Sequence, residues 1–378
     1  MKTEIKALTG IRGIAACYVV FFHFWGAFAA GGFYVPIVSP IASRGYIAVD
    51  LFFCLSGYIM AETYSHLFLT REFPAAYRLF LGRRLARIYP LYFSCTIAAY
   101  LMMALNILPE KMFTITNLGA NLASVQILSW GHFTSLDGPA WSISVEAIAY
   151  VLFPPLMAAT LLASPKRAII SAIVAVVGVV VATRLPAELM GRPEEIGRFM
   201  IWWAATPGEI VRCLAEFATG LLAWRATRTE WFRRLSTYPL LCELVVGAML
   251  ILLALPGTDV AVVVLFPLLI SLVGTREGYV AHFLGGRIPY YLGVLSYSIY
   301  LVHVPVKDSL NHPLAKWTAQ FGIPHAWTAH VFLLGALVAV IAIVAHLGIE
   351  RPGRKILRDL LEGRPSYRAS GTLDRSLS

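Results

Sequence analysis

Apolar stretches recur along the chain at lengths that suit a bilayer. A hydrocarbon core is about 30 Å thick and takes roughly 20 helical residues to cross. Ten windows fit: 8–29, 46–66, 82–106, 141–162, 167–184, 208–226, 239–255, 258–274, 289–308 and 326–349. They predict an all-α polytopic membrane protein of about ten transmembrane helices. A further stretch, NLGANLASVQIL (117–128), is too short to span and reads as a re-entrant or interfacial helix. The membrane domain is expected to cover residues 1–352. The tail, 353–378, is basic; it starts as an amphipathic stretch suited to the inner membrane surface and ends polar and disordered.

Composition agrees with this pattern. Of 378 residues, 58% are hydrophobic and 14% charged, and the mean hydropathy is +0.71. Soluble domains carry about 25% charged residues. The net charge of +10 does not call for nucleic acid, because Lys and Arg gather on the cytoplasmic side of membrane proteins. Ten spans with both termini cytoplasmic place Arg71, Arg78, Arg83, Arg84, Arg87, Lys166, Arg167, Arg225, Arg228, Arg233 and Arg234 inside, with fewer cations outside. Eleven spans would put ATRTEWFRR outside and break that asymmetry. The first window is no cleaved leader, since Arg12 and His23 interrupt it. The five cysteines all fall in apolar stretches without metal spacing, so no metal site and no disulfide framework is expected.

The informative residues are those that hydrocarbon should reject. An intramembrane ionisable group costs roughly 3 kcal/mol or more, so it faces the protein interior or a water-filled cavity. Arg12 and His23 sit eleven residues apart on nearly the same helical face, about 16 Å along the axis. On the ten-span topology His23, Asp50, Glu146 and His303 fall at one level, in the outer half of the membrane. A carboxylate beside a histidine fixes its tautomer and raises its basicity, which is what a general base needs. Plainer roles compete: either histidine as an interhelical hydrogen-bond donor, Asp50 or Ser142 as a helix cap, Trp141 as an interface anchor. On the cytoplasmic side, Arg83, Arg84 and Arg87 at the start of the third span, with Arg351 near the tail, are either positive-inside charge or forks for phosphate oxygens. There is no Walker loop, zinc spacing or GxSxG elbow.

Five segments occur in order: GIRGIAACYVVFFHF, GYIAVDLFFCLSGYIM, RRLARIYPLY, GPAWSISVEAIAY and LSYSIYLVHVP. Together they resemble the acyltransferase-3 family of integral membrane acyltransferases, over about residues 5–352. That family includes bacterial O-antigen, exopolysaccharide and Nod-factor O-acetyltransferases. The resemblance implies a multi-pass protein of the bacterial inner membrane. It also implies acetyl-CoA as donor and a hydroxyl of an exopolysaccharide or lipid-linked glycan as acceptor. It assigns His23 to catalysis, with Asp50 or Glu146 orienting it, and Arg12, Arg83, Arg84, Arg87 and Arg351 to the CoA phosphates or pantetheine arm. Trp141, Ser142, Tyr297, Tyr300 and His303 are then expected near the acceptor or the oxyanion. His23 acts either as general base or as a transient acyl carrier. Association with polysaccharide assembly proteins, or with a second copy, stays open. The rival from another class is a proton-coupled transporter that uses the same intramembrane His, Asp and Glu.

Overall fold

A computed structural model describes residues 4–30, 35–108, 113–129, 133–184, 207–238, 240–275, 278–320 and 326–363. The segment GRPEEIGRFMIWW, the outer loop of the ten-span reading, and the last 15 residues of the tail, 364–378, lie outside the described residues. Among the described residues every regular element is helical. In chain order these are α1 (Lys6–Ala30), α2 (Val38–Ala42), α3 (Ala48–Thr70), α4 (Phe73–Ala104), α5 (Ile115–Leu122), α6 (Trp141–Val151), α7 (Phe153–Thr160) and α8 (Pro165–Arg184). They continue with α9 (Pro207–Ala226), α10 (Glu230–Ser236), α11 (Leu241–Ala254), α12 (Asp259–Thr275), α13 (Gly278–Leu284), α14 (Arg287–Gln320), α15 (Ala326–Ala345) and α16 (Arg351–Leu361). Helix is what such a sequence must form in lipid, where the backbone has to satisfy its own hydrogen bonds.

Four helical segments are long and apolar enough to cross a membrane: Lys6–Gly26, Val38–Thr70, Pro165–Thr183 and Ala329–Leu361. The number rises to seven when each of three sharply bent pairs is taken as one span. One of those pairs, α6 with α7, bends by 64° within the window predicted as a single straight span. The sequence there is Leu152-Phe153-Pro154-Pro155, and two successive prolines remove the amide donors that would carry a helix through. The three remaining apolar windows fall on α4, α9 and α14, and these helices carry most of the charged and polar residues discussed below. The stretch predicted too short to span overlaps α5, of 8 residues, capped by the Thr114 side chain accepting from the Asn117 amide.

Two close crossings fix the arrangement around the site. Helices α1 and α14 touch backbone to backbone: a Cβ on Gly13 would lie 2.4 Å from the Gly293 nitrogen, and one on Gly293 would lie 1.9 Å from the Thr9 carbonyl oxygen. Ten residues further along both helices His23 meets His303, so α1 and α14 run parallel and in register. Helices α3 and α9 approach as closely through Gly57 and Gly220. Small residues allow this contact in membranes, where apolar helices gain nothing from leaving lipid and packing must hold them together. Beyond α15 the chain makes one π-helical turn, His346–Glu350, before α16 packs across α4.

Candidate active site

Arg12 of α1, Arg84 and Arg87 of α4, Glu146 of α6, and Tyr297 and Tyr300 of α14 line one cavity of about 130 Å³. Arg84 points one guanidinium nitrogen at the Tyr150 hydroxyl, 2.5 Å away, and lies over that ring at 4.5 Å. The Tyr150 hydroxyl donates in turn to Glu146 Oε1 at 2.5 Å, and the Ser56 hydroxyl donates to the same oxygen. The Nε–H of Arg84 is buried without a partner. Arg87 pairs with Glu350 in the π-helical turn and lies 5.4 Å from the Tyr297 ring centre. Glu350 also accepts from the Ser298 hydroxyl at 2.6 Å and pairs with His346 at 3.0 Å. Among the described residues, no carboxylate lies within ion-pair distance of Arg12; Glu146 acts on it only from longer range. Arg354 of α16 lies within electrostatic reach of Arg12, Arg84 and Arg87. Three guanidinium groups thus line the cavity, with Arg354 in electrostatic reach, and among the described residues the carboxylates facing them are Glu146 and Glu350; a phosphate or similar anion suits that imbalance.

The two histidines meet further along α1 and α14. Their ring centres are 4.8 Å apart and tilted by 68°. His303 is fully buried and His23 half-buried. The Tyr300 ring connects them with the cavity: it lines the cavity wall and its centre is 5.8 Å from that of His303. Ser142 and Tyr300 hydrogen-bond each other at 2.8 Å, which fixes the Tyr300 hydroxyl beside the N-terminal turn of α6.

Several expected site residues are placed elsewhere. Asp50 does not reach His23; Arg212 holds it through two bonds of 2.6 Å, and Glu209 at 3.0 Å and Glu216 at 3.7 Å complete a buried cluster between α3 and α9. Glu146 does not bond His23 either, because Ser56 and Tyr150 engage it on the Arg84 side. The carboxylates expected to orient His23 therefore stand apart from it, and His303 is its side-chain neighbour instead. Arg83 bonds Glu362 at 2.8 Å outside the cavity, and Arg351 is exposed. Trp141 packs edge-on to Phe53 at 6.2 Å and does not line the cavity. Sequence reasoning missed Arg212, Tyr150 and Glu350 as partners. The spacing Glu209, Arg212, Glu216 on one helical face was a readable sign of a buried ion cluster. Nothing in the sequence connected Glu350 with α4, because that contact depends on the π-helical turn.

An apolar helical bundle with a guanidinium-lined cavity beside a close histidine pair is a membrane protein equipped to hold an anion close to a proton-accepting ring. The comparison with protein families agrees and is specific: the chain belongs to the acyltransferase 3 family, whose profile, described as an acyltransferase domain, matches residues 5–347. Its apolar helical region thus carries that family's acyltransferase domain. A Bacillus subtilis (strain 168) protein with the provisional name peptidoglycan O-acetyltransferase YrhL is 24% identical over 93% of this chain and 55% of its own length. The chain therefore spans about half the length of that relative. A Komagataeibacter xylinus protein, provisionally named membrane-bound transacylase BcsY, is 26% identical over 93% of this chain and 83% of its own. Protein 2 in the picA locus of Rhizobium radiobacter is 39% identical over 22% of this chain and 38% of its own. No solved structure matches the chain.

Proposed function

We propose that this protein moves an acetyl group from cytoplasmic acetyl-CoA to a hydroxyl of an exopolysaccharide or lipid-linked glycan, in the inner membrane of a bacterium. The observation that carries the proposal is the cavity that begins at Arg12, Arg84 and Arg87 and ends at Tyr300, beside the histidine pair. The arginine end receives the CoA phosphates from the cytoplasm, in keeping with ten spans and both termini inside. The pantetheine arm follows α1 from Arg12 towards His23, about 16 Å along the axis. His23 then removes the proton of the attacking hydroxyl, a contribution of roughly 10²–10⁴-fold, or carries the acyl group itself. The relatives named for O-acetyl transfer and transacylation support the reaction class. Membrane lipids surround the bundle, and the acceptor meets the donor at the histidine level.

The test is transfer of radiolabelled acetyl from acetyl-CoA to the lipid-linked glycan fraction of the host, using purified protein. Wild type is expected to transfer label. His23→Ala is expected to bind CoA normally and transfer at least about 100-fold more slowly. Near-normal transfer by His23→Ala overturns the role of His23. A wild type that neither binds CoA nor consumes acetyl-CoA overturns the donor.

A further inference from the structure

A histidine base needs one ring nitrogen held as N–H so that the other keeps its lone pair. The hydrogen bonds around His23 decide which is which. His303 Nδ1 lies 2.6 Å from the Tyr300 carbonyl oxygen, an atom that only accepts, so this nitrogen carries a proton. In the neutral ring Nε2 is then an acceptor. It faces His23 Nδ1 at 3.3 Å. The same His23 nitrogen lies 2.9 Å from the Val19 carbonyl oxygen. Two acceptors converge on one nitrogen, and an N–H there satisfies both.

We infer that His303 is a positioning residue: with the Val19 carbonyl it holds His23 as the Nδ1–H tautomer and leaves Nε2 of His23 as the reacting nitrogen. The inference rests on the reading of His23 as the base or acyl carrier. Val19 sits on the same helix as His23, so it cannot fix the ring against α14; His303 does. Flipping the His23 ring about χ2 would aim a carbon at His303 Nε2 and lose that bond. Lys307 and Asp308, the charged side chains within electrostatic reach, lie about a turn beyond His303 on α14 and pair with each other at 3.2 Å. The pair thus works as two neutral rings in series, with no carboxylate bonded to either among the described residues.

The proton count follows. The acceptor oxygen bonds to the thioester carbon as its proton moves to His23 Nε2. The C–S bond then breaks, and that proton passes to the departing sulfur. Nδ1–H stays in place throughout. If the acyl group is carried covalently, Nε2 attacks the thioester carbon, the C–S bond breaks and coenzyme A leaves as the thiolate, so the ring becomes an Nε2-acylimidazolium that keeps Nδ1–H. Attack by the hydroxyl on that acyl group breaks the C–N bond, returns the neutral ring and sends the hydroxyl proton to the thiolate.

The experiment uses the full chain in detergent with ¹⁵N-labelled histidine. Long-range ¹H–¹⁵N spectra report each tautomer, and the signal lost in His23→Gln identifies His23. Wild type is expected to show Nδ1–H at His23. His303→Leu is expected to lose the single tautomer and to lower kcat for acetyl transfer by roughly 10-fold or more, with the KM for acetyl-CoA unchanged. His303→Gln offers a carbonyl acceptor and recovers part of both. An Nε2–H tautomer at His23 in wild type overturns the inference. So does a His303→Leu variant that keeps kcat and tautomer, or one that loses only donor binding. Full transfer by His23→Gln is a different failure: it removes the base assignment whatever the tautomer.

Discussion

Two clusters of buried arginine chemistry stand in this protein, and they are balanced in opposite ways. Between α3 and α9, a single guanidinium, Arg212, is gripped by Asp50, Glu209 and Glu216, and all four side chains are excluded from solvent. Around the cavity, Arg12, Arg84 and Arg87, with Arg354 in electrostatic reach, face two carboxylates among the described residues: Glu146, which also bonds Ser56 and Tyr150, and Glu350, which pairs with Arg87 and also bonds Ser298 and His346. A cation whose partners all lie within the protein holds helices together. Charge in surplus beside a void holds something else. The same residue type thus reads as structure in one place and as a binding site in the other, and the partner count separates the two.

The sharpest way to break that contrast is at Arg212. Arg212→Met strands buried carboxylates and is expected to cost about 3–5 kcal/mol, seen as a lower thermal midpoint and a poorer yield of folded protein in detergent. Any molecules that do fold should bind CoA normally. A variant with unchanged stability would show that the cluster is not structural. Arg12→Gln tests the other cluster. It should leave the thermal midpoint near that of wild type, because no ion pair is lost, and weaken acetyl-CoA binding by about 10–100-fold, the worth of one charged hydrogen bond. Equal loss of stability at both arginines would erase the distinction. The smallest effect belongs to Arg83→Gln. Its bond to Glu362 is 40% exposed on the arginine side, so under about 1 kcal/mol is at stake and donor binding should not change. A large rise in KM there would mean that the anion site extends beyond the cavity.

The helical class, the apolar windows and the residues of the cavity were legible because each depends on a local pattern. Arg12, Arg84, Arg87, Ser142, Glu146, Tyr297 and Tyr300, each singled out from its motif, line one cavity. What was not legible was which polar residues face one another across helices. Asp50, Glu146 and His303 lie at similar depths on the ten-span reading, and depth along a helix is readable from sequence. Rotation about the helix axis is set by packing, here by the glycine contacts at Gly13·Gly293 and Gly57·Gly220. Those contacts turn Asp50 towards α9 and His303 towards α1. The bend after Val151 was missed for a different reason: hydropathy averages over Pro154 and Pro155 and does not register the amide donors they lack.

The π-helical turn makes the C-terminal part of the chain sensitive to counting. A residue in an α-helix advances by about 100° around the axis, so a one-residue surplus re-aims everything that follows. With that surplus in place, Glu350 meets Arg87 and Gly353 seats against Pro90, where an added Cβ would come within 2.6 Å. Removing a single residue between His346 and Glu350 would leave composition, hydropathy and helix content almost untouched. It would nevertheless swing α16 off α4 and carry Arg354 away from the cavity. A frame of one residue, more than any one side chain, ties this end of the chain to the arginines of the cavity.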